Sequence, residues 1–172
     1  MKRDTLGWKI FITAVQVIGI GIAVAAVLLL LGNAGIAEEE YETMYAICQP
    51  GDRVNIRPFP NRNLTEGWLE TGDEVLVDGR KRNGFIHCVG LNNESGEGWV
   101  HKGYLVWDKP ERVSCIGTVI SRGKLAARKN VGGKRVRWLK PGGTVKVYYV
   151  SDEWCVTNCG YVKTEFLELE DE

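Results

Sequence analysis

The chain is 172 residues long, balances 22 Lys and Arg against 22 Asp and Glu, is 44% hydrophobic, and carries only two histidines. That composition excludes a uniformly polycationic or polyanionic chain. The length allows one medium domain or two small ones once any membrane segment is set aside.

In chain order, the first feature is the apolar run Ile10 to Leu31, interrupted mildly by Thr13 and Gln16. As a helix it would be ~33 Å long, against a hydrocarbon core of ~30 Å. Lys2, Arg3 and Lys9 precede it, and Glu38, Glu39, Glu40 and Glu42 follow. This asymmetry predicts a cytoplasmic N-terminus (1–9), a transmembrane segment (10–31), a linker (32–43) and an extracytoplasmic remainder. A cleaved signal is the competing reading, because Gly35-Ile36-Ala37 offers small residues for a peptidase. The run is longer than the ~7–15 residue core of a signal peptide, which favours a retained anchor. Both readings export the rest of the chain.

All five cysteines (Cys48, Cys88, Cys115, Cys155 and Cys159) lie in the exported part. Export permits disulfides, the odd count leaves at least one thiol over, and spacing does not fix any pairing. Cys155–Cys159 and Cys48–Cys88 are two of the open possibilities. Charge is also unevenly placed: Ser121 to Ser151 holds nine basic residues and no acid, while Asp152 onward is strongly acidic.

Beyond Met44, short β-branched and aromatic runs alternate with Gly, Pro, Asn and Asp, which predicts strands and turns. Three landmarks occur twice in the same order. Val54-Asn55-Ile56-Arg57 matches Leu125-Ala126-Ala127-Arg128 at an offset of 71 residues. The Trp68-Leu69 segment with its turn glycine and following strand matches Trp138-Leu139 at 70. Gly98-Trp99-Val100 through Leu105 matches Gly160-Tyr161-Val162 through Leu167 at 62. The shorter final offset falls in a loop, Leu91 to Glu97, where length variation leaves backbone solvated.

The expectation is a mainly β protein with two tandem small barrels, 44–108 and 115–169, a linker at 109–114 and an acidic tail at 170–172. Closed barrels of this size would hide sheet edges and gather the aromatics inside. Modules of about 55–65 residues lie near the lower limit for independent folding. Disulfides worth ~2–4 kcal/mol each would then matter.

At these landmarks the sequence resembles the bacterial SH3 family. The first copy carries Val54-Asn55-Ile56-Arg57, the segment Leu69-Glu70-Thr71-Gly72-Asp73-Glu74-Val75, and Gly98-Trp99-Val100-His101-Lys102-Gly103-Tyr104-Leu105. The second departs at Ala126-Ala127 and at Lys140-Pro141. The resemblance implies SH3-like barrels that bind peptidoglycan or its peptides, or that dock an attached enzyme to the wall.

The candidate ligand-binding residues follow from the repeat and the charge pattern. Trp68 and Trp138 share one repeat position, which reads first as core packing or a half-buried aromatic and second as a flat platform for a sugar or peptide. Trp99 and Tyr161 read as core or groove, and Tyr104 and Phe166 as barrel closures. Arg57 and Arg128 end the first strand of each copy and read first as structural partners of a carbonyl or carboxylate, then as ligand contacts. Arg135, Arg137 and Lys140 represent the basic stretch, either a solvated face or a site for an anionic partner.

No enzyme activity is expected. His87 and Cys88 are strand neighbours that point to opposite faces, so they cannot form a nucleophile–base pair. No cysteine–histidine set completes tetrahedral zinc, and no cofactor motif occurs. The sequence therefore points to a non-catalytic, membrane-attached binding protein for cell-wall polymer or peptide, or to a protein partner within an envelope complex. Nucleic acid is disfavoured by the export signal.

Overall fold

The computed structural model describes residues 40–170. The expected cytoplasmic and membrane or signal segments (1–9 and 10–31), and most of the 32–43 linker, lie outside the described residues. Among the described residues no helix is long and apolar enough to cross a membrane.

The chain is mainly β. Its first set of strands is β1 (Glu42–Ala46), β2 (Val54–Ile56), β3 (Gly67–Leu69), β4 (Glu74–Arg82), β5 (Phe85–Val89), β6 (Glu97–His101) and β7 (Leu105–Val106). The second is β8 (Glu111–Val119), β9 (Leu125–Arg128), β10 (Arg135–Leu139), β11 (Thr144–Val150), β12 (Trp154–Thr157), β13 (Gly160–Lys163) and β14 (Leu167–Leu169). Single 3-10 turns, Lys102–Tyr104 and Thr164–Phe166, precede the last strand of each set. We refer to the two sets as the first and second modules.

Strand β8 starts at Glu111, inside the stretch expected to be a linker, and Glu111 and Arg112 pair with Val150 and Tyr149. Both are polar and exposed, so no apolar period reveals them. Their pairing is made by backbone groups, which is indifferent to side-chain type.

The two modules repeat one topology. The second forms a seven-stranded sheet in the order β10-β9-β13-β12-β11-β8-β14. The first has the corresponding order, but a single bridge, Arg57 to Trp99, joins the β2–β3 pair to the five-stranded sheet β6-β5-β4-β1-β7. The matching contact in the second module is Arg128 to Tyr161. Register is conserved as well: Asn55 faces Trp68 as Ala126 faces Trp138. Ile47 donates to the Tyr104 carbonyl at 2.9 Å, and Ile120 to that of Phe166 at 3.0 Å.

Each sheet wraps around its own core. Val119, Leu125, Leu139, Val145, Cys155, Val162 and Leu167, one from each strand of the second module, form one buried cluster. Laid flat, seven strands at ~4.8 Å spacing would span roughly 29 Å, too wide for all of them to meet. The first module gathers Met44, Val54, Leu69, Val75, Cys88, Val100 and Leu105 likewise.

The landmark glycine of the third repeat segment has a steric reason. A Cβ on Gly160 would lie 2.5 Å from the Arg128 carbonyl oxygen, and one on Gly98 would lie 2.5 Å from Ile56 Cγ2. At both places the closing strand crosses too closely for any side chain.

Aromatic rings do not fill the module interiors as the sequence suggests. The core clusters are aliphatic, with only Tyr104 and Phe166 packed at their margins. The buried large rings, Trp154 and Tyr161, instead join Ile47, Val106 and Val156 in a third cluster between the modules. Tyr161 donates its hydroxyl to the Ile47 carbonyl at 3.3 Å, and Gln49 Nε2 donates to the Thr157 carbonyl at 3.2 Å. Val131 donates its amide to the Gly103 carbonyl at 2.9 Å. Burial pushes the Tyr161 phenol far up, so it serves here as a neutral donor.

Gly160→Ala should destabilise the chain sharply, because it adds the backbone clash to a φ of +118°. Strain of that type costs about 1–3 kcal/mol before the clash is counted. Gly123→Ala, with nothing within 4 Å of its Cβ, should be close to neutral. Urea denaturation of the two variants checks the contrast, and equal midpoints would contradict it.

Candidate functional site

Trp68 and Trp138 point outward because their strand neighbours Leu69 and Leu139 point inward, and successive side chains alternate faces. They are 56% and 48% exposed, so neither is packed into the core. Each carries a guanidinium on its ring: Arg53 Cζ lies 4.7 Å from the Trp68 centroid and Arg135 Cζ 4.4 Å from that of Trp138. Such a cation–π contact is worth about 0.5–1 kcal/mol at exposed sites. The two arginines come from different repeat positions, so the pairing recurs although the sequence around it does not.

Arg57 and Arg128 share one structural task. Arg57 Nη1 donates to the Arg62 carbonyl and to Asn63 Oδ1, both at 3.1 Å, and Arg128 Nη1 donates to the Gly133 carbonyl at 2.8 Å. Each pins the turn after its strand. Arg135 and Arg137 lie on β10, the edge strand of the second sheet, and Arg137 Nη1 reaches Cys159 Sγ at 3.5 Å. Lys140 is exposed at the turn that follows.

Where the modules meet, a cleft of about 300 Å³ opens between Arg53, Asn55, Arg57, Phe85, His101 and Tyr104 of the first module and Lys129 and Asn130 of the second. Phe85, His101 and Tyr104 form an edge-to-face wall, with centroid separations of 5.1 and 5.9 Å. Arg57 Cζ lies 5.3 Å from the Phe85 centroid. Among the described residues no carboxylate lines the cleft. His101 Nδ1 accepts from the Gly103 amide at 3.1 Å, which leaves Nε2 as the protonated donor of the neutral ring. Burial, reinforced by Lys102 and Arg57, pushes the His101 pKa down and favours that neutral form.

The structure thus brings Arg57 into a cleft and leaves Trp68, Trp138 and Arg128 outside its lining. Sequence reasoning missed Arg53, Phe85, Tyr104, Lys129 and Asn130 as members of one site. Their convergence depends on the contact between modules, for which no single repeat carries a signal.

A second polar cluster occupies the outer face of β4 and β5. His87 Nδ1 meets Asp78 Oδ2 at 2.9 Å, Arg80 Nη2 meets the same carboxylate oxygen at 2.6 Å, and Trp99 packs edge-on to the imidazole at 5.0 Å. Burial opposes ionisation of Asp78, but hydrogen bonds from Arg80 and His87 outweigh it and hold the carboxyl below its ordinary range. The neighbouring Cys88 faces the core, where burial pushes its thiol up to about 12. It is not a thiolate, and it is on the opposite face from His87.

All five cysteines are free thiols, so neither Cys155–Cys159 nor Cys48–Cys88 is bridged. Cys48 instead bonds the Asp52 carbonyl at 3.2 Å, and Cys155 the Thr164 hydroxyl at 3.4 Å. Among the described residues no group of His, Cys, Asp and Glu is placed to hold a metal ion.

Solved structures similar to this chain include NlpC1 and NlpC2 from Trichomonas vaginalis. They are 18% and 17% identical over 80% and 78% of this chain, with TM-scores of 0.34 and 0.33. The chain spans about half the length of each, 49% and 50%. No protein-family model matches the sequence, and neither does any curated protein.

Asp78 also sets a pH dependence. Its carboxyl binds a proton less tightly when folded than when unfolded. The stabilisation is therefore complete above the ordinary carboxylate pKa of about 4 and is lost as pH falls through the lower folded value. Asp78→Asn should cost about 1–3 kcal/mol at neutral pH, as expected for losing charge-assisted hydrogen bonds. The difference from the parent chain should close in acid, as pH falls through the lowered folded value. Denaturation midpoints at both pH values check this, and a difference that persists in acid would contradict it.

Proposed function

We propose that the chain is a non-catalytic, extracytoplasmic binding protein, attached to the membrane through residues 10–31, whose tandem SH3-like modules recognise a cell-wall polymer or peptide. The observation that carries this reading is the repeated outward indole with a guanidinium on its face, Arg53 on Trp68 and Arg135 on Trp138. A flat apolar ring with a guanidinium over one face suits sugars and peptides, which combine apolar faces with many acceptors. The basic edge strand β10, with Arg135 and Arg137 exposed and Lys140 just beyond it, supports an anionic component in the ligand. The role involves no nucleic acid and no cofactor. The SH3-like assignment is supported by the repeated strand order and by the resemblance of the landmark motifs.

A protein partner in an envelope complex is the second reading, and one observation favours it. Ile120 is 54% exposed at the position where Ile47, its counterpart, is fully buried beneath the other module. The second module thus presents to solvent an apolar residue that the first uses for docking.

Co-sedimentation of the full chain in non-ionic detergent with purified wall sacculi tests the leading reading. Retention at low salt is expected, and the double variant Trp68→Ala, Trp138→Ala should weaken it at least about ten-fold, equivalent to ~1.4 kcal/mol. Failure of the parent chain to sediment, or equal retention of the double variant, would count against a tryptophan platform.

A further inference from the structure

We propose that the cleft between the modules binds a short peptide through its terminal carboxylate, held by Arg57 of the first module and Lys129 of the second against the Phe85 and Tyr104 rings. This deepens the binding reading above by giving the ligand a charge class, and the two readings fail separately.

Arg57 and Lys129 have no carboxylate partner among the described residues, and Arg57 Nη1 spends its hydrogen bonds on two neutral oxygens. Arg53 is a weaker candidate, because Glu70 lies 3.5 Å from it. Two cations from different modules, neither paired with a carboxylate, therefore face one cavity that no acid lines among the described residues. Like charges brought together by docking repel, and an anion between them removes that repulsion. His101 Nε2 supplies a neutral donor on the same wall.

Shape narrows the ligand further. A volume of about 300 Å³ lies at the small end of ligand sites, suited to one or two residues of a peptide rather than to a folded surface. Val54, Phe85 and Tyr104 make much of the wall apolar. A polyphosphate chain would leave these rings against charged oxygens, whereas a peptide end supplies a carboxylate and an apolar flank together. A guanidinium also matches a carboxylate in two-point geometry.

The site exists only while the modules stay docked, since Lys129 and Asn130 precede Val131, whose amide bonds Gly103. A Cβ on Gly103 would lie 2.5 Å from Asn130 Nδ2, so the two segments meet at close range. Binding should accordingly stabilise the docked state by mass action.

Calorimetric titration of the full chain in non-ionic detergent with acetyl-Ala-Ala, its C-terminal amide, and inorganic phosphate tests the proposal. The acid should bind saturably, and the amide and phosphate at least about ten-fold more weakly, as loss of a charge-assisted hydrogen bond predicts. Arg57→Gln and Lys129→Gln should each weaken the acid by a similar factor. Lys129 is exposed, so its variant guards against misfolding from the loss of the Arg57 turn contacts. Gly123→Ala, with nothing within 4 Å of its Cβ, should leave acid binding unchanged. No binding, equal binding of acid and amide, tighter phosphate, or indifference to Lys129→Gln would overturn the site. Acid binding without sacculus retention would sink only the tryptophan platform.

Discussion

The structure depends on one apolar contact, the seating of Ile47 and Val106 against Trp154, Val156 and Tyr161. Each module alone is small enough that its aliphatic core is modest, and no disulfide supplements it. Removing a buried aromatic side chain typically costs about 3–5 kcal/mol. The junction places two such rings where both modules share them. It therefore acts as a third core, and it fixes the geometry from which the charged cleft arises.

Docking is directional because the two copies have diverged at equivalent positions. Val156 pairs with Tyr161 in the second module as His87 pairs with Trp99 in the first. In the second, that face is apolar and lies buried against Ile47. In the first, it carries the Asp78, Arg80 and His87 cluster, whose ion pairs would be costly to cover with an apolar partner. Ile47 and Ile120 show the same divergence from the other side, one buried and one exposed. A duplicated fold thus yields an asymmetric pair with one defined order.

Much of the fold was legible in the sequence because β alternation and turn glycines are local signals. The offsets of the three landmarks reproduce the observed register, down to the paired contacts of Arg57 with Trp99 and Arg128 with Tyr161. Strand β8 began earlier than expected because its first residues are polar on an exposed stretch. The tryptophans were harder, since an indole beside a leucine gives no indication which of the two turns inward; Leu69 and Leu139 took the core. The cleft was not legible at all. Lys129 and Asn130 sit in a turn of one copy, Phe85 and Tyr104 on strand and turn of the other, and only the shared junction brings them together. Free thiols were missed for a related reason: an exported position permits disulfides, but pairing needs geometry that spacing does not supply.

Rotational diffusion measured by amide relaxation tests the junction most directly. Amides of both modules should share one correlation time, and should show two faster, independent values once Tyr161→Ala removes the central ring. Independent tumbling of the modules in the parent chain would contradict it, and with it the existence of a fixed cleft between them.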